Sequence, residues 1–143
     1  MGLDLRLLPC EHWTEKNDRV WGYSHTILEL GRVGEDAYRA FEKLVKPHLV
    51  KMPDGHDVSS YVGKLIPDGY AKGERYYGAF RAKDAYGTAY EFITAQHLLP
   101  WLEAHFRNDG SDGGGKPYGP YQTSIVAYIR ALPPDTKIVL DWH

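Results

Sequence analysis

The sequence contains a single cysteine, Cys10, and no long apolar run. One cysteine cannot form a disulfide within the chain, which argues against the disulfide-rich secreted classes. No stretch reaches the roughly 18 consecutive apolar residues of a membrane-spanning helix, and the mean hydropathy is −0.49. We interpret Cys10 as a small buried residue at the end of a strand rather than as a nucleophile.

A basic excess is missing as well. The 17 lysines and arginines are outnumbered by 19 aspartates and glutamates, which gives a formal net charge of −2 at pH 7. Proteins that bind nucleic acid in general carry a basic surface that neutralises phosphates. The first residues also lack the basic and apolar segments of a signal peptide. We therefore expect a cytoplasmic protein with no membrane contact and no general nucleic-acid binding.

Local signatures of catalysis and of metal binding are absent too. The 7 histidines include no pair at the i, i+4 spacing of a helical zinc site and no His-Glu-x-x-His motif. The sequence has neither a phosphate loop that ends in Gly-Lys-Ser/Thr nor a Gly-x-Ser-x-Gly elbow. We therefore predict no catalytic residue, no metal and no cofactor, and we favour a binding protein over an enzyme.

Length and periodicity predict a single globular domain over residues 1–143. Pro9 is expected to end the first strand, and the continuously apolar last strand is expected to be central. The third and fourth strands are expected to form a hairpin around Asp84–Gly87. The predicted strands, which follow alternating or continuous apolar residues, are Leu3–Leu8, Trp21–Leu30, Arg75–Lys83, Thr88–Ile93 and Lys137–Trp142.

Helical spacing of apolar residues predicts helices from Glu35 to about Pro47, over Ala95–Phe106 and over Pro120–Leu132. Trp101 is expected at the margin of the apolar stripe of the second helix. Residues 11–19 are expected to form a solvated loop, Asp57 to cap a short helix, and the glycine-rich residues 108–117 to form a mobile loop. The fold class predicted is α+β, with a largely antiparallel sheet of about five strands packed by two to three main helices.

Tyrosine is abundant: 13% of the residues are aromatic and 11 of them are tyrosines. Many lie between Tyr70 and Phe92, where lysines and arginines are interleaved with them. Flat rings stack on a nucleobase, and arginine supplies a fork for phosphate oxygens. This predicts a site for a nucleotide-like anionic small molecule, and a hairpin packed on the core is weighted equally. The predicted site residues are Tyr76, Tyr77 and Tyr86 for stacking, Arg75, Arg81 and Lys83 for phosphate, and Tyr23 and His25 for the floor.

A second group of tyrosines, Tyr118, Tyr121 and Tyr128, follows the glycine-rich segment. Glycine-rich loops beside tyrosines often form lids or binding edges. A loop that closes over a ligand held by the hairpin would give both tyrosine groups one explanation. This is a hypothesis that depends on the hairpin facing a cleft.

Segments near both ends of the sequence carry a family resemblance: Met1–Pro9 (MGLDLRLLP), Tyr23–Leu30 (YSHTILEL), Leu132–Thr136 (LPPDT) and Leu140–His143 (LDWH). Together they resemble small uncharacterised proteins encoded by bacteriophages and prophages. The resemblance implies a protein of the host cytoplasm. It further implies a role against host defences, by binding a defence protein or by sequestering a nucleotide signal. It supplies no binding residues.

Three functions are weighed. The first is a non-enzymatic protein, expected as a homo-oligomer, that sequesters the nucleotide-like molecule and so counters host defence. The second is a protein–protein inhibitor, with a host defence protein as its partner, or a structural phage protein; its exposed tyrosines would form the contact surface. The third is a small hydrolase that uses His25 with a distant carboxylate such as Asp141.

Overall fold

The computed structural model of the chain describes residues 3–10, 12–16, 19–24, 26–51, 57–60, 65–68, 73–76, 80–81, 84–106 and 118–143. In chain order, the strands are β1 Leu3–Cys10, β2 His12–Lys16, β3 Arg19–Ser24, β4 Leu28–Val33, β5 Val50–Lys51, β6 Asp57–Ser60, β7 Leu65–Asp68, β8 Gly73–Tyr76, β9 Phe80–Arg81, β10 Glu91–Thr94 and β11 Lys137–Trp142. The helices are α1 Glu35–Leu44, α2 Ala95–His105 and α3 Pro120–Ala131, with a short 3-10 helix at Lys46–His48.

The centre of the fold is a five-stranded antiparallel sheet in the order β4-β1-β11-β10-β5. Strand β11 lies in the middle, as its continuous apolar sequence predicts, and pairs with β1 on one side and β10 on the other. With the three helices of the described residues, this sheet confirms the predicted α+β class and the largely antiparallel pairing. Two smaller sheets have the orders β2-β3-β6-β9 and β7-β8.

One face of the central sheet packs against the helices. Its side chains come from alternate strand positions, because successive residues of a strand point to opposite faces. The largest fully buried side chains of this core are Leu5, Leu7, Leu30, Ile93 and Ile138 of the strands and Phe41, Leu98, Trp101, Leu102, Phe106, Ile125 and Ile129 of the helices and their ends. The opposite face carries a smaller apolar cluster of Leu8, Cys10, Tyr90 and Val139, with Trp13, Ile27 and Phe92 packed on it.

Two predictions about single residues are wrong. Strand β1 continues through Pro9 to Cys10. The pairing of β1 with β4 ends at Leu7, so the N–H that proline lacks lies beyond that ladder. Trp101 is fully buried rather than marginal, and its Nε1 donates a 2.7 Å hydrogen bond to the carbonyl of Ala37.

Several predictions of local structure are also wrong. Residues 12–16, expected in a loop, form β2 and pair with β3. The predicted strand Trp21–Leu30 is divided between β3 and β4, which belong to different sheets. Asp57 begins a strand and not a helix. The hairpin of Arg75–Lys83 with Thr88–Ile93 is not formed, because β8 pairs with β7, β9 with β6, and β10 with β11 and β5.

The predicted mobile loop at 108–117 lies outside the described residues, and the single domain stays a prediction. Among the residues that the structure describes, no helix combines the length and the apolar character needed to cross a membrane.

Candidate functional site

A cavity of about 360 Å³ opens at the end of the central sheet, where β1 ends and β11 begins. Its volume lies within the range of small-molecule sites, about 300–1,000 Å³. The lining residues come from three parts of the chain: Cys10 of β1, Trp13 of β2, and Leu132, Pro133, Asp135, Thr136 and Lys137 of the connection from α3 into β11.

Strand pairing explains why these distant residues meet. Cys10 lies opposite Lys137 in the β1–β11 ladder, and Thr94 lies opposite Lys137 in the β10–β11 ladder. Directly opposed residues place their side chains on the same face of a sheet. Cys10, Lys137 and Thr94 therefore lie on the same face of the sheet as Leu8 and Val139, which is the face away from the helices.

The backbone of the connection that forms the cavity wall is fixed by hydrogen bonds. The N–H of Thr136 donates to the carbonyl of Pro133 at 3.0 Å and closes a turn. The N–H groups of Ala95 and Gln96 donate to the carbonyls of Thr136 and Pro134 at 3.0 and 3.1 Å. The first N–H groups of a helix have no partner within it, so α2 and the wall hold each other in place.

The chemical groups of the cavity differ in kind. The Trp13 ring packs against the Phe92 ring, with centroids 4.8 Å apart and planes inclined by 57°. Lys137 contributes an ammonium group and Asp135 a carboxylate, and neither forms an ion pair with a described residue. The cavity is therefore lined by one aromatic residue and by two residues of opposite charge.

Cys10 lines this cavity from the end of β1. It is 3% exposed and lies at the end of β1, which confirms its interpretation as a small buried residue. Its Sγ lies 3.5 Å from the carbonyl oxygen of Leu8, as a weak donor. A thiol held in this way is not presented to solvent as a nucleophile.

A separate polar cluster lies towards the other end of the same sheet. The Nε of Arg6 donates to Glu29 Oε2 at 2.7 Å, and the Nε2 of His143 lies 2.9 Å from Glu29 Oε1. Asp141, the carboxylate of the hydrolase alternative, is 5% exposed and lies opposite Arg6 in the ladder. His25, the other half of that alternative, lies outside the described residues.

The predicted ligand-binding residues that the structure describes are spread over two sheets and a turn. Tyr23 lies in β3, Arg75 and Tyr76 lie in β8, Arg81 lies in β9, and Tyr86, which is 53% exposed, lies in the turn before β10. His25, Tyr77 and Lys83 lie outside the described residues. The roles of all these residues stay predictions.

One register row relates the prediction to the cavity. Trp13 lies opposite Gly22, Gly22 opposite Val58, and Val58 opposite Arg81. Neighbouring strands are about 4.8 Å apart, so the backbone of Arg81 lies roughly 14 Å from that of Trp13 along this row.

Sequence reasoning did not single out Trp13, Asp135 or Lys137. The signal that could have drawn attention to them is the Pro133-Pro134 pair, which stiffens a short connection directly before two opposite charges. No family model, curated protein or solved structure matches this chain.

Proposed function

We propose that the chain captures a nucleotide-like anionic small molecule in the cavity and holds it without chemical conversion. The observation that carries the proposal is that an aromatic residue, Trp13, and a cationic residue, Lys137, line the same cavity of about 360 Å³. Stacking of a base on an aromatic ring contributes about 1–3 kcal/mol. The ammonium group offers three N–H donors to phosphate oxygens.

The fixed wall supports binding by this cavity. The turn from Pro133 to Thr136 is hydrogen-bonded to the start of α2. The backbone of this part of the cavity wall therefore needs little ordering when a ligand binds. Pre-organisation of this kind lowers the entropic cost of association. The chain as a whole has a net charge of −2, so attraction of an anion depends on local groups such as Lys137 rather than on the overall field.

The environment of Cys10 favours binding over catalysis. The residue is 3% exposed, and its Sγ lies 3.5 Å from the carbonyl oxygen of Leu8. We therefore assign it to the cavity wall and give it no part in a covalent step.

The biological role that fits capture without conversion is sequestration of a nucleotide signal of host defence in the host cytoplasm. This part of the proposal is supported by the resemblance to phage and prophage proteins. The alternative is a protein–protein inhibitor or a structural phage protein. Tyr86 and Tyr121, which are 53% and 52% exposed, are the side chains that would anchor such a contact.

The test is a thermal-shift screen of the full chain with mononucleotides, cyclic dinucleotides and ADP-ribose derivatives, followed by calorimetric titration of each hit. A ligand that binds only the folded state raises the Tm. Lys137→Ala should weaken binding about tenfold or more, since it removes a charged hydrogen-bond donor. The matched control is Lys51→Ala, which removes an exposed lysine from the edge strand β5 and should bind as the parent chain does.

The same experiment identifies the fate of the ligand. After denaturation of the complex, chromatography should recover the added compound unchanged. A converted product would contradict capture without conversion and would favour the hydrolase alternative. If no compound of the panel raises the Tm, the proposal is wrong, and a stable complex with a host protein would then support the inhibitor alternative.

A further inference from the structure

Asp135 and Lys137 carry opposite charges and line the same cavity, and they form no ion pair with each other. They are two residues apart, both line the cavity, and neither takes part in an ion pair with a described residue. The hydrogen bonds of the Pro134 and Thr136 carbonyls to α2 hold the backbone on either side of Asp135. A ligand that satisfies both groups must bring an anionic group to one and hydrogen-bond donors to the other.

We infer that the cavity selects a guanine nucleotide and that Asp135 is the residue that reads the base. The inference rests on the proposed function, in which Lys137 binds phosphate oxygens and Trp13 stacks on the base. With those two groups assigned, the Asp135 carboxylate is left to face the hydrogen-bonding edge of the base.

The chemistry of a carboxylate distinguishes the bases. Its two oxygens only accept hydrogen bonds. Guanine presents two adjacent donors, N1–H and the N2 amino group, which match the two oxygens of Asp135. Adenine and cytosine place an acceptor next to their amino group, and uracil places acceptors on both sides of its N–H. Each of those bases would turn a lone pair towards a carboxylate oxygen, which is a repulsive contact.

The size of the cavity matches a single nucleotide unit. Its volume of about 360 Å³ is near the lower limit of small-molecule sites, about 300 Å³. One aromatic ring, Trp13, and one ammonium group, Lys137, likewise match one base and one phosphate. A mononucleotide such as GMP is therefore the appropriate probe.

The experiment is calorimetric titration of the full chain with GMP, IMP, AMP and XMP. IMP keeps N1–H but lacks the amino group, so the parent chain should bind GMP about tenfold or more tightly than IMP or AMP, the discrimination of a good bidentate contact. Asp135→Asn offers one acceptor and one donor, which match N1–H and the 2-oxo group of xanthine. This variant should lose the preference for GMP and prefer XMP.

The control is Asp36→Asn, which changes an aspartate with a side chain 93% exposed in the first turn of α1, away from the residues that line the cavity. It should keep the nucleotide preference of the parent chain. Equal affinities of the parent chain for GMP, IMP and AMP, or a uniform weakening in D135N, would overturn the assignment of Asp135 and leave the proposed function standing. Absence of binding to all four mononucleotides would overturn the assignment of Asp135, and absence of binding to the whole panel would overturn the proposed function as well. The GMP, IMP and AMP comparison uses the parent chain and so decides the question even if D135N does not fold.

Discussion

The hydroxyl of Tyr118 donates a 2.8 Å hydrogen bond to the backbone carbonyl of Arg32 in β4. A second contact of this kind joins the backbone N–H of Glu29, also in β4, to the hydroxyl oxygen of Tyr121 at 3.3 Å. Strand β4 is an edge of the central sheet, and an uncovered edge is a template for pairing with another chain. Two members of the second tyrosine group therefore occupy backbone hydrogen-bonding positions of an edge strand.

Loss of the Tyr118 hydroxyl is expected to destabilise the fold. Tyr118→Phe removes the donor and leaves the Arg32 carbonyl without this contact, which should lower the free energy of unfolding by about 1 kcal/mol. Urea unfolding followed by circular dichroism measures the change as a lower midpoint with an unaltered slope. Tyr86→Phe is the control, since Tyr86 is 53% exposed and should leave the midpoint unchanged. Equal midpoints for the two variants would contradict a structural role of the Tyr118 hydroxyl.

The buried indole of Trp101 is expected to contribute more to the free energy of unfolding than the Tyr118 hydroxyl does. Trp101 is fully buried, donates to the Ala37 carbonyl at 2.7 Å and packs edge-on against Phe41, with ring centroids 5.2 Å apart. Trp101→Phe removes the hydrogen bond and leaves unfilled volume, so the free energy of unfolding should fall by about 2–4 kcal/mol. Trp142→Phe changes a half-buried indole that also packs on Phe41, and it should cost less. A larger loss in W142F than in W101F would contradict this ranking.

The fold was predictable from sequence where the period of apolar residues reports packing directly. The helical spacing from Glu35 and from Pro120 and the continuous apolar residues of Lys137–Trp142 each predicted an element that the structure contains. These segments bury a face or a whole strand, so their sequence records their surroundings. Trp101 was misplaced because it contacts Phe41 and Ala37 of α1, which a count along α2 cannot include.

Strand pairing was not predictable in the same way. Residues 12–16 are mostly polar or charged. That composition describes the side chains and leaves open whether the backbone pairs with β3. The cavity depends on a similar relationship, because Cys10 and Lys137 become neighbours only through the β1–β11 ladder. The prediction of a tyrosine-rich hairpin was wrong for the same reason, because β8 pairs with β7 and β10 pairs with β11. The partner of a strand is set by contacts that are distant in sequence.

The turn that presents Tyr86 is expected to depend on Asp84. The Oδ1 of Asp84 accepts hydrogen bonds from the backbone N–H groups of Tyr86 and Thr88 at 2.9 and 3.0 Å. The N–H of Ala85 joins this turn to β11 through the Trp142 carbonyl at 3.2 Å. Asp84→Ala should lower the free energy of unfolding by about 1 kcal/mol and should speed amide hydrogen exchange at Tyr86 and Thr88. Asp84→Asn keeps an acceptor oxygen and should exchange more slowly than D84A, and identical exchange in the two variants would contradict the role of Oδ1.

A substitution at Thr94 is expected to stabilise the chain. Thr94 immediately precedes α2, as the sequence predicts, yet its side chain makes no capping hydrogen bond. The N–H groups of Ala95 and Gln96 are already bonded to the carbonyls of Thr136 and Pro134. The Oγ1 of Thr94 is consequently buried without a hydrogen-bond partner among the described residues, and burial of an unsatisfied hydroxyl costs free energy.

Thr94→Val replaces that hydroxyl by a methyl group of similar shape, in a residue type that strands favour. The free energy of unfolding should rise by about 1 kcal/mol, and the Tm should rise by about 2–4 °C for a chain of this size. Scanning calorimetry measures the shift. Thr94→Ser keeps the hydroxyl and loses the methyl group, so its Tm should fall below that of the parent chain. A Tm of T94V at or below that of the parent chain would contradict this prediction. It would show that the hydroxyl has a favourable partner in solution, such as a bound water.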